Sequence, residues 1–499
     1  MISLGIDCGT QSTKTIALDV ETGAILASAQ RAYGFVPGLG GGAMEQHPEE
    51  WAAAMEQTVG DVLGQLGERK AEVRAIGVSG QQHGLVALDA AGEVVRPAKL
   101  WCDTSTIAEC DALTAKLGGA DRVIELVGNA MLPGYTAPKI FWLRDREPEN
   151  WARTRSLLLP HDFLNFRLTG VKRMEFGDAS GMALLDVRSR EWARPALEAV
   201  GDDVAEKLPP LGSSLEPAGM LVEGLRQRWG LSCSVVVSAG GGDNMMAAIG
   251  TGNTSAGVVT ASLGTSGTLF AFAERPVVDP RGEVAAFCDS TDHWLPLVCT
   301  MNVTLVTELT RGLFGWGHAE FGAAVESVPS GADGLTLLPY LAGERTPNLP
   351  RGCGVLHGLT TENLTPAHLA RAAIEGVTLG LGYGLGRLRE LGVEATEIRL
   401  TGGGSNSAAW RQICADVFEA PVVCLESAEG GALGAALQGA WQAMRADGAT
   451  TSIADLTNSL VKIDASTRAE PRAGAAAIHR AQLERMRGLR AGLTSVNLL

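Results

Sequence analysis

The first residues able to do chemistry close the opening apolar run: Asp7, then Cys8-Gly9-Thr10-Gln11-Ser12-Thr13-Lys14. A carboxylate at a strand end, followed by a glycine turn with hydroxyls and a Lys, offers backbone N–H groups and a cation to phosphate. The carboxylate can hold a hydrated Mg²⁺. The spacing is not a Walker A loop, and the same residues also suit a plain hairpin with Asp as turn former. Ser262-Leu263-Gly264-Thr265-Ser266-Gly267-Thr268 repeats this chemistry, because small residues let the backbone approach an anion and donate N–H and O–H bonds. Either loop alone could be an ordinary hairpin. Two of them, one in each half, are harder to ascribe to coincidence.

Three further groups stand at turns. In Gly240-Gly241-Gly242-Asp243-Asn244 the glycines leave a carboxylate open to substrate. Such an Asp could take the proton of an attacking hydroxyl, with Asn244 bonding a neighbouring one; the plainer reading is an N-cap for a helix from Met245. Gly80-Gln81-Gln82-His83-Gly84, with Trp101-Cys102-Asp103 downstream, brings amide, imidazole, carboxylate and indole groups suited to a polyhydroxyl ligand. The flanking glycines predict a tight, exposed turn there. Gly402-Gly403-Gly404-Ser405-Asn406 allows close approach of an adenine or ribose, or is simply a helix-entry turn. A dinucleotide fold is excluded, since no G-x-G-x-x-G with a following acidic residue is present.

The elements that must carry these residues read as follows. Ile2–Asp7 and Thr15–Asp19 form a hairpin, and Trp51–Leu66 is a helix with Trp51, Met55, Val59 and Leu63 on one face. Val73–Val78 and Leu85–Leu88 are apolar runs flanking the Gln-Gln-His turn. Ser234–Ala239 and Val258–Leu263 are strands leading into glycine turns, as are Ile76–Ser79 and Ile398–Thr401. Helices are expected at His368–Leu391, at Trp410–Phe418 and from Thr467 onward. Alternating strands and helices predict a mixed α/β protein. Strand–glycine–Thr/Ser–strand units in both halves suggest a degenerate internal duplication, with lobes 1–245 and 246–499.

A chain of 499 residues exceeds what one hydrophobic core sustains, which agrees with two lobes. The 63 glycines cluster at turns, without forming a low-complexity tract. A net charge of −15 argues against nucleic acid or an anionic membrane as partner. No apolar run spans a bilayer, and the N-terminus does not resemble a signal peptide. The nine cysteines, Cys233 among them, are scattered without metal-ligand spacing. A cytoplasmic protein is expected.

Taken together and in order, these segments resemble the FGGY carbohydrate kinases, nearest their xylulokinase branch. Gly134-Tyr135-Thr136-Ala137-Pro138-Lys139-Ile140-Phe141-Trp142-Leu143 is similar to one family signature. Leu338–Pro347 and Gly354-Val355-Leu356-His357-Gly358-Leu359, continued by His368–Glu375, are similar to others. The resemblance implies two actin-like (ribonuclease H-like) lobes of the sugar kinase/Hsp70/actin superfamily, with ATP and sugar in the cleft between them.

Carried over to this chain, Asp243 matches the catalytic base, and Asp7 the carboxylate associated with Mg²⁺, through water. Gly9, Thr10, Ser12, Thr13 and Lys14 match one phosphate loop; Gly264, Thr265 and Ser266 match the other. Gln82 and His83 match the sugar-contacting pair beside Asn244, with Trp101 and Asp103 as further sugar candidates. Gly403, Gly404 and Asn406 lie where the adenosine loop should be. Cys8, Gln11, Gln82 and Arg146 depart from commoner family residues without removing a proposed catalytic group. The implied reaction is ATP-dependent conversion of D-xylulose to D-xylulose 5-phosphate. L-xylulose, L-ribulose, gluconate or glycerol are alternative substrates, and a non-catalytic nucleotide-switched protein is the rival class. Dimers are common in the family, which leaves a homodimer open.

Overall fold

In the computed structural model, which describes residues 1–231, 234–427 and 429–499, the opening hairpin forms as expected from Ile2–Cys8 (β1) and Ser12–Asp19 (β2). Cys233 lies outside the described residues; the eight described cysteines are free thiols. Two compact units are present. The first comprises residues 1–255, 272–295 and 429–461, and the second residues 256–271, 296–427 and 462–499.

The first unit is built on a sheet in which Val73–Gly80 (β4) lies parallel to β1, while β2 and Ile25–Ala32 (β3) extend it antiparallel. Asp7 pairs in register with Ser79, and Gly241 pairs with Ser79 from the other side of β4. One register line therefore crosses three strands at about 4.8 Å per step, and it brings Asp243, two residues on, to the same end of the sheet as Asp7. The helix Pro48–Leu66 (α1) buries Trp51, Met55, Val59 and Leu63 as its periodicity predicts.

Asp243–Gly250 (α2) and Gly430–Ala446 (α3) complete the arrangement. α3 is rich in Gly and Ala because it touches backbone. A Cβ on Gly5 would stand 1.9 Å from the Ala432 carbonyl oxygen, and one on Gly77 1.9 Å from that of Ala435. Against α2 the approach is as close: a Cβ on Gly434 would meet Met246 O at 1.7 Å. Ser3 Oγ adds a hydrogen bond to Ala436 O at 2.7 Å.

The second unit repeats the plan. Gly257–Leu263 (β5) is antiparallel to Gly267–Ala271 (β6) and parallel to Ala395–Thr401 (β7), as β1 is to β2 and β4. Residues 297–300 add to β6 as β3 adds to β2. The duplication suggested by the sequence is thus a repeated strand order. The helices Pro366–Glu390 and Ala408–Phe418 begin at Thr365 and Ser407, whose hydroxyls accept the N–H groups of His368 and Trp410, both at 3.3 Å.

Two expectations need correction. The C-terminal helix starts at Ala473; Thr467 instead belongs to the strand Ile463–Ala469, where its hydroxyl accepts Cys424 N–H at 2.9 Å. This segment belongs to the second unit. Only Val236–Val237 of the 234–239 run is strand. Within the apolar run at 85–88, Val86–Leu88 is a strand that pairs with Ser156–Leu158. No helix among the described residues is long and apolar enough to cross a membrane.

Candidate active site

Asp7 is the penultimate residue of β1 and half-buried, with Ser79 Oγ donating to its Oδ1 at 2.7 Å. Gly431 is the floor beneath it: a Cβ there would reach the Asp7 carboxylate at 2.8 Å. Burial raises the Asp7 pKa above the ordinary carboxylate value; Ser79 and Lys14 oppose the rise and Glu429 adds to it. Asp243 is pushed up to about 7, first by burial and then by the charges of Asp7 and Asp178, against the bonds from Asn244. Crowded, half-buried carboxylates are where proton-transfer chemistry becomes available near neutral pH.

Asp243 does not cap α2. Gly242 holds the N-cap position and Asp243 is the first helical residue, its Oδ1 accepting Asn244 N–H at 2.8 Å. Asn244 Nδ2 bridges Asp243 Oδ1 at 2.9 Å and Gln82 Oε1 at 2.6 Å, while Gln82 Nε2 points at Met245 Sδ, 3.0 Å away. Asp243, Asn244 and Gln82 therefore form one polar cluster. The approach to Asp243 is fixed by Gln438 of α3. Its amide accepts Gly240 N–H at 2.9 Å and donates to Gly240 O at 3.2 Å, while Gly240 itself adopts a left-handed φ of 72°.

His83 contradicts the expectation of an exposed turn. Residues 81–88 are all buried, because the turn is roofed by other segments. The His83 ring lies 5.2 Å from Tyr135 and 5.3 Å from Phe287, and a Cβ on Gly181 would strike its Cε1 at 1.8 Å. His83 Nδ1 stands 3.1 Å from Asp178 Oδ1, and His161 Nδ1 stands 3.1 Å from Asp178 Oδ2.

The remaining candidates separate. Thr10 Oγ1 accepts Trp101 Nε1–H at 3.0 Å and donates to Gln81 Oε1 at 3.3 Å, which links the first glycine loop to the Gln-Gln-His turn. Gly9 N–H closes that loop on Ser12 O at 3.0 Å, and Ser12 Oγ accepts from Gln30. Thr13 is a correction: it is fully buried and its hydroxyl donates to Tyr33, so that side chain is engaged within the fold. Lys14 forms an ion pair with Glu429. Asp103 is also corrected as a sugar contact. It is buried, and its oxygens accept Met44 N–H, Ser105 N–H, Ser105 Oγ–H and Lys99 Nζ–H. It ties a loop instead.

In the second unit, Gly264-Thr265-Ser266 is the turn between β5 and β6, with Thr265 exposed. Gly402 must be glycine: its φ is 82°, and a Cβ would meet Leu263 C at 2.7 Å. That contact seats the Gly403–Asn406 turn against the Gly264 turn. Gly403 and Asn406 are exposed, and a Cβ on Gly403 would meet open space. Gly404 is different: it is buried, with Trp410 Cζ3 2.9 Å from its would-be Cβ, so packing explains it.

Sequence reasoning missed Ser79, His161, Asp178 and Gln438. His161-Asp162 follow an apolar run, as Asp7 does, which was a usable signal. Gln438 lies inside a Gly/Ala helix, and nothing local marks it.

This arrangement of a repeated sheet with paired glycine loops defines a sugar-kinase fold, and the comparisons agree. The N-terminal domain of the FGGY family of carbohydrate kinases matches residues 2–250, and the C-terminal domain residues 259–443. The chain belongs to that family and is a carbohydrate kinase, a phosphotransferase for which ATP is the implied donor.

Its similarities are more particular than that. A xylulose kinase of Haemophilus influenzae is 42% identical over 444 residues, 88% of this chain and 90% of its own length. One of Streptomyces rubiginosus is 39% identical over 438 residues, 88% of this chain and 87% of its own. Among solved structures, xylulose kinase from Bifidobacterium adolescentis superposes with a TM-score of 0.83 at 31% identity, covering 96% of this chain and 99% of that one. Gluconate kinase from Lactobacillus acidophilus superposes with a TM-score of 0.90 at 23% identity, covering 99% and 98%. The fold is therefore shared across sugars.

Proposed function

We propose that the protein phosphorylates D-xylulose to D-xylulose 5-phosphate with ATP. The observation that carries the substrate is that curated relatives matching 88% of the chain are xylulose kinases. Asp243 is the general base. Its carboxylate takes the proton of the terminal sugar hydroxyl as that oxygen bonds to the γ-phosphorus and the bond to the ADP oxygen breaks. A carboxyl with a pKa of about 7 is suited to this, being largely ionised just above neutrality yet a better proton acceptor than an ordinary Asp.

Gln82, Asn244 and His83 bind the sugar hydroxyls. Backbone N–H groups at the tip of the first glycine turn, beyond Gly9, and of the Gly264–Ser266 turn contact phosphate, and Gly403 and Asn406 border the adenosine. Positioning of this kind removes up to about 7–11 kcal/mol of barrier in favourable intramolecular cases. Asp7 suits a hydrated Mg²⁺. It offers a single half-buried carboxylate with a glycine floor, and among the described residues no three His, Cys, Asp or Glu side chains form a metal cage. Mg²⁺ usually keeps several waters and takes its other ligands from phosphate, and when bound it supplies positive charge to the phosphoryl oxygens.

The test is coupled ADP release with Mg-ATP against D-xylulose, L-xylulose, D- and L-ribulose, gluconate and glycerol. The expected result is a kcat/KM for D-xylulose at least about tenfold above every other sugar, or about 1.4 kcal/mol of discrimination. Preference for another polyol overturns the substrate. Silence on the whole panel with ATP bound would favour a nucleotide-switched protein.

A further inference from the structure

The His83 ring ends a buried chain of titratable groups, most of which the proposed mechanism does not use. Asp178, on the short helix Phe176–Ala179, faces His83 through one oxygen and His161 through the other. His161, on the helix Pro160–Thr169, presents its second nitrogen to Asp162 Oδ1 at 3.0 Å, with Glu175 Oε1 at 4.0 Å. All five side chains are buried.

Packing selects the plane of the His83 ring but not its edge. Gly181, Tyr135 and Phe287 confine the ring, the backbone at His83 is held at a φ of 62°, and Thr136 Oγ1 donates to His83 O at 3.1 Å. A half-turn about the Cβ–Cγ bond leaves the shape of an imidazole almost unchanged while exchanging nitrogen for carbon at each edge. Only a polar partner distinguishes the two flips. Burial alone would raise the Asp178 carboxyl, but the hydrogen bond from His161 and the close approach of the His83 ring outweigh it and hold it at about 2. An ionised carboxylate only accepts, so the first proton on each facing imidazole sits on Nδ1.

We propose that Asp178, braced by His161, is a positioning residue for the sugar site: it selects the ring flip and tautomer of His83 and reaches the sugar through that imidazole. This rests on the reading of His83 as a sugar contact. His161 serves the same end by balancing charge. Burial opposes its protonation, yet Asp162 and Asp178 raise its pKa well above the ordinary histidine value. A protonated His161 beside Asp178 keeps that carboxylate ionised without requiring a charge on His83.

A double-mutant cycle separates this role from simple support of the fold. In the parent, Asp178→Asn should raise the sugar KM at least about tenfold while kcat changes by less than about threefold. The Asn side chain can donate where Asp178 could only accept, and so favours the wrong flip. In a His83→Ala background the same substitution should change KM by less than about twofold. Equal effects in both backgrounds overturn the proposal, as does an unchanged KM in the parent. If Asp178→Asn fails to fold by circular dichroism, His161→Gln is carried through the same cycle, and a KM effect that persists without His83 overturns it equally. Should His83→Ala itself leave KM unchanged, the sugar-contact reading has failed and the proposal falls with it. If the panel names another sugar, the cycle is run on that sugar and decides Asp178 all the same.

Discussion

At the scale of single residues, the decisive group is Asp243. Asp243→Ala is expected to cut kcat at least about a hundredfold, the lower range for loss of a general base, with sugar binding retained better than turnover. Steady-state kinetics on a folded variant checks this. Because the Asp243 carboxyl is held at about 7 by burial and by Asp7 and Asp178, kcat/KM should fall on the acid side with a limb near that pH. The same shift has a sign for stability. A folded pKa above the unfolded value means the unfolded chain binds fewer protons between the two, so this group makes the fold less stable as pH rises through that window. Asp243→Asn should therefore melt at a higher temperature than the parent at pH 8, and the difference should vanish near pH 4. Calorimetry at the two pH values decides it. Asp7 and Asp243 were legible in the sequence, as a carboxylate after an apolar run and one after three glycines. Asp178 was not, because it is distant in sequence from the His83 it faces.

At the scale of elements, α3 is the part that most constrains the site. Gly5, Gly77 and Gly434 allow helix backbone to lie against strands and against α2, where added Cβ atoms would stand under 2 Å from carbonyl oxygens. Gly434→Ala should cost at least the ~1–3 kcal/mol typical of overpacking, read by denaturant unfolding. Gln438 tests the catalytic side of the same helix. Gln438→Met leaves Gly240 N–H and C=O unpaired, a loss of about 1–3 kcal/mol per buried group. It should lower kcat more than it raises the sugar KM, since it loosens the approach to Asp243. The helix was not among the elements read from periodicity: with so many small residues, the apolar pattern of 430–446 carries little contrast.

At the scale of the whole molecule, the chain passes from the first unit to the second after residue 255, returns at 272–295 and again at 429–461, and ends in the second. In the proposed mechanism the sugar contacts lie in the first unit and the adenosine contacts in the second, with a phosphate turn in each. Hydrogen exchange is expected to show sugar protection at residues 79–84 and 240–244, and protection by a nonhydrolysable ATP analogue at 264–266 and 403–406. Sugar protection confined to the second unit would reverse the assignment.

By itself the sequence determined the family, the α/β class, the repeated strand–glycine–strand unit and the carboxylates at strand ends. These are local features, written within a few residues of one another as apolar runs, glycines and polar termini. The tertiary structure alone decided which of those residues meet. Register placed Gly241 beside Ser79 and Ser79 beside Asp7. Burial turned Asp103 and Thr13 inward, and the roof of Tyr135, Phe287 and Gly181 enclosed His83. Such contacts join positions up to hundreds of residues apart, and no property of either residue announces its partner; only the packed chain does.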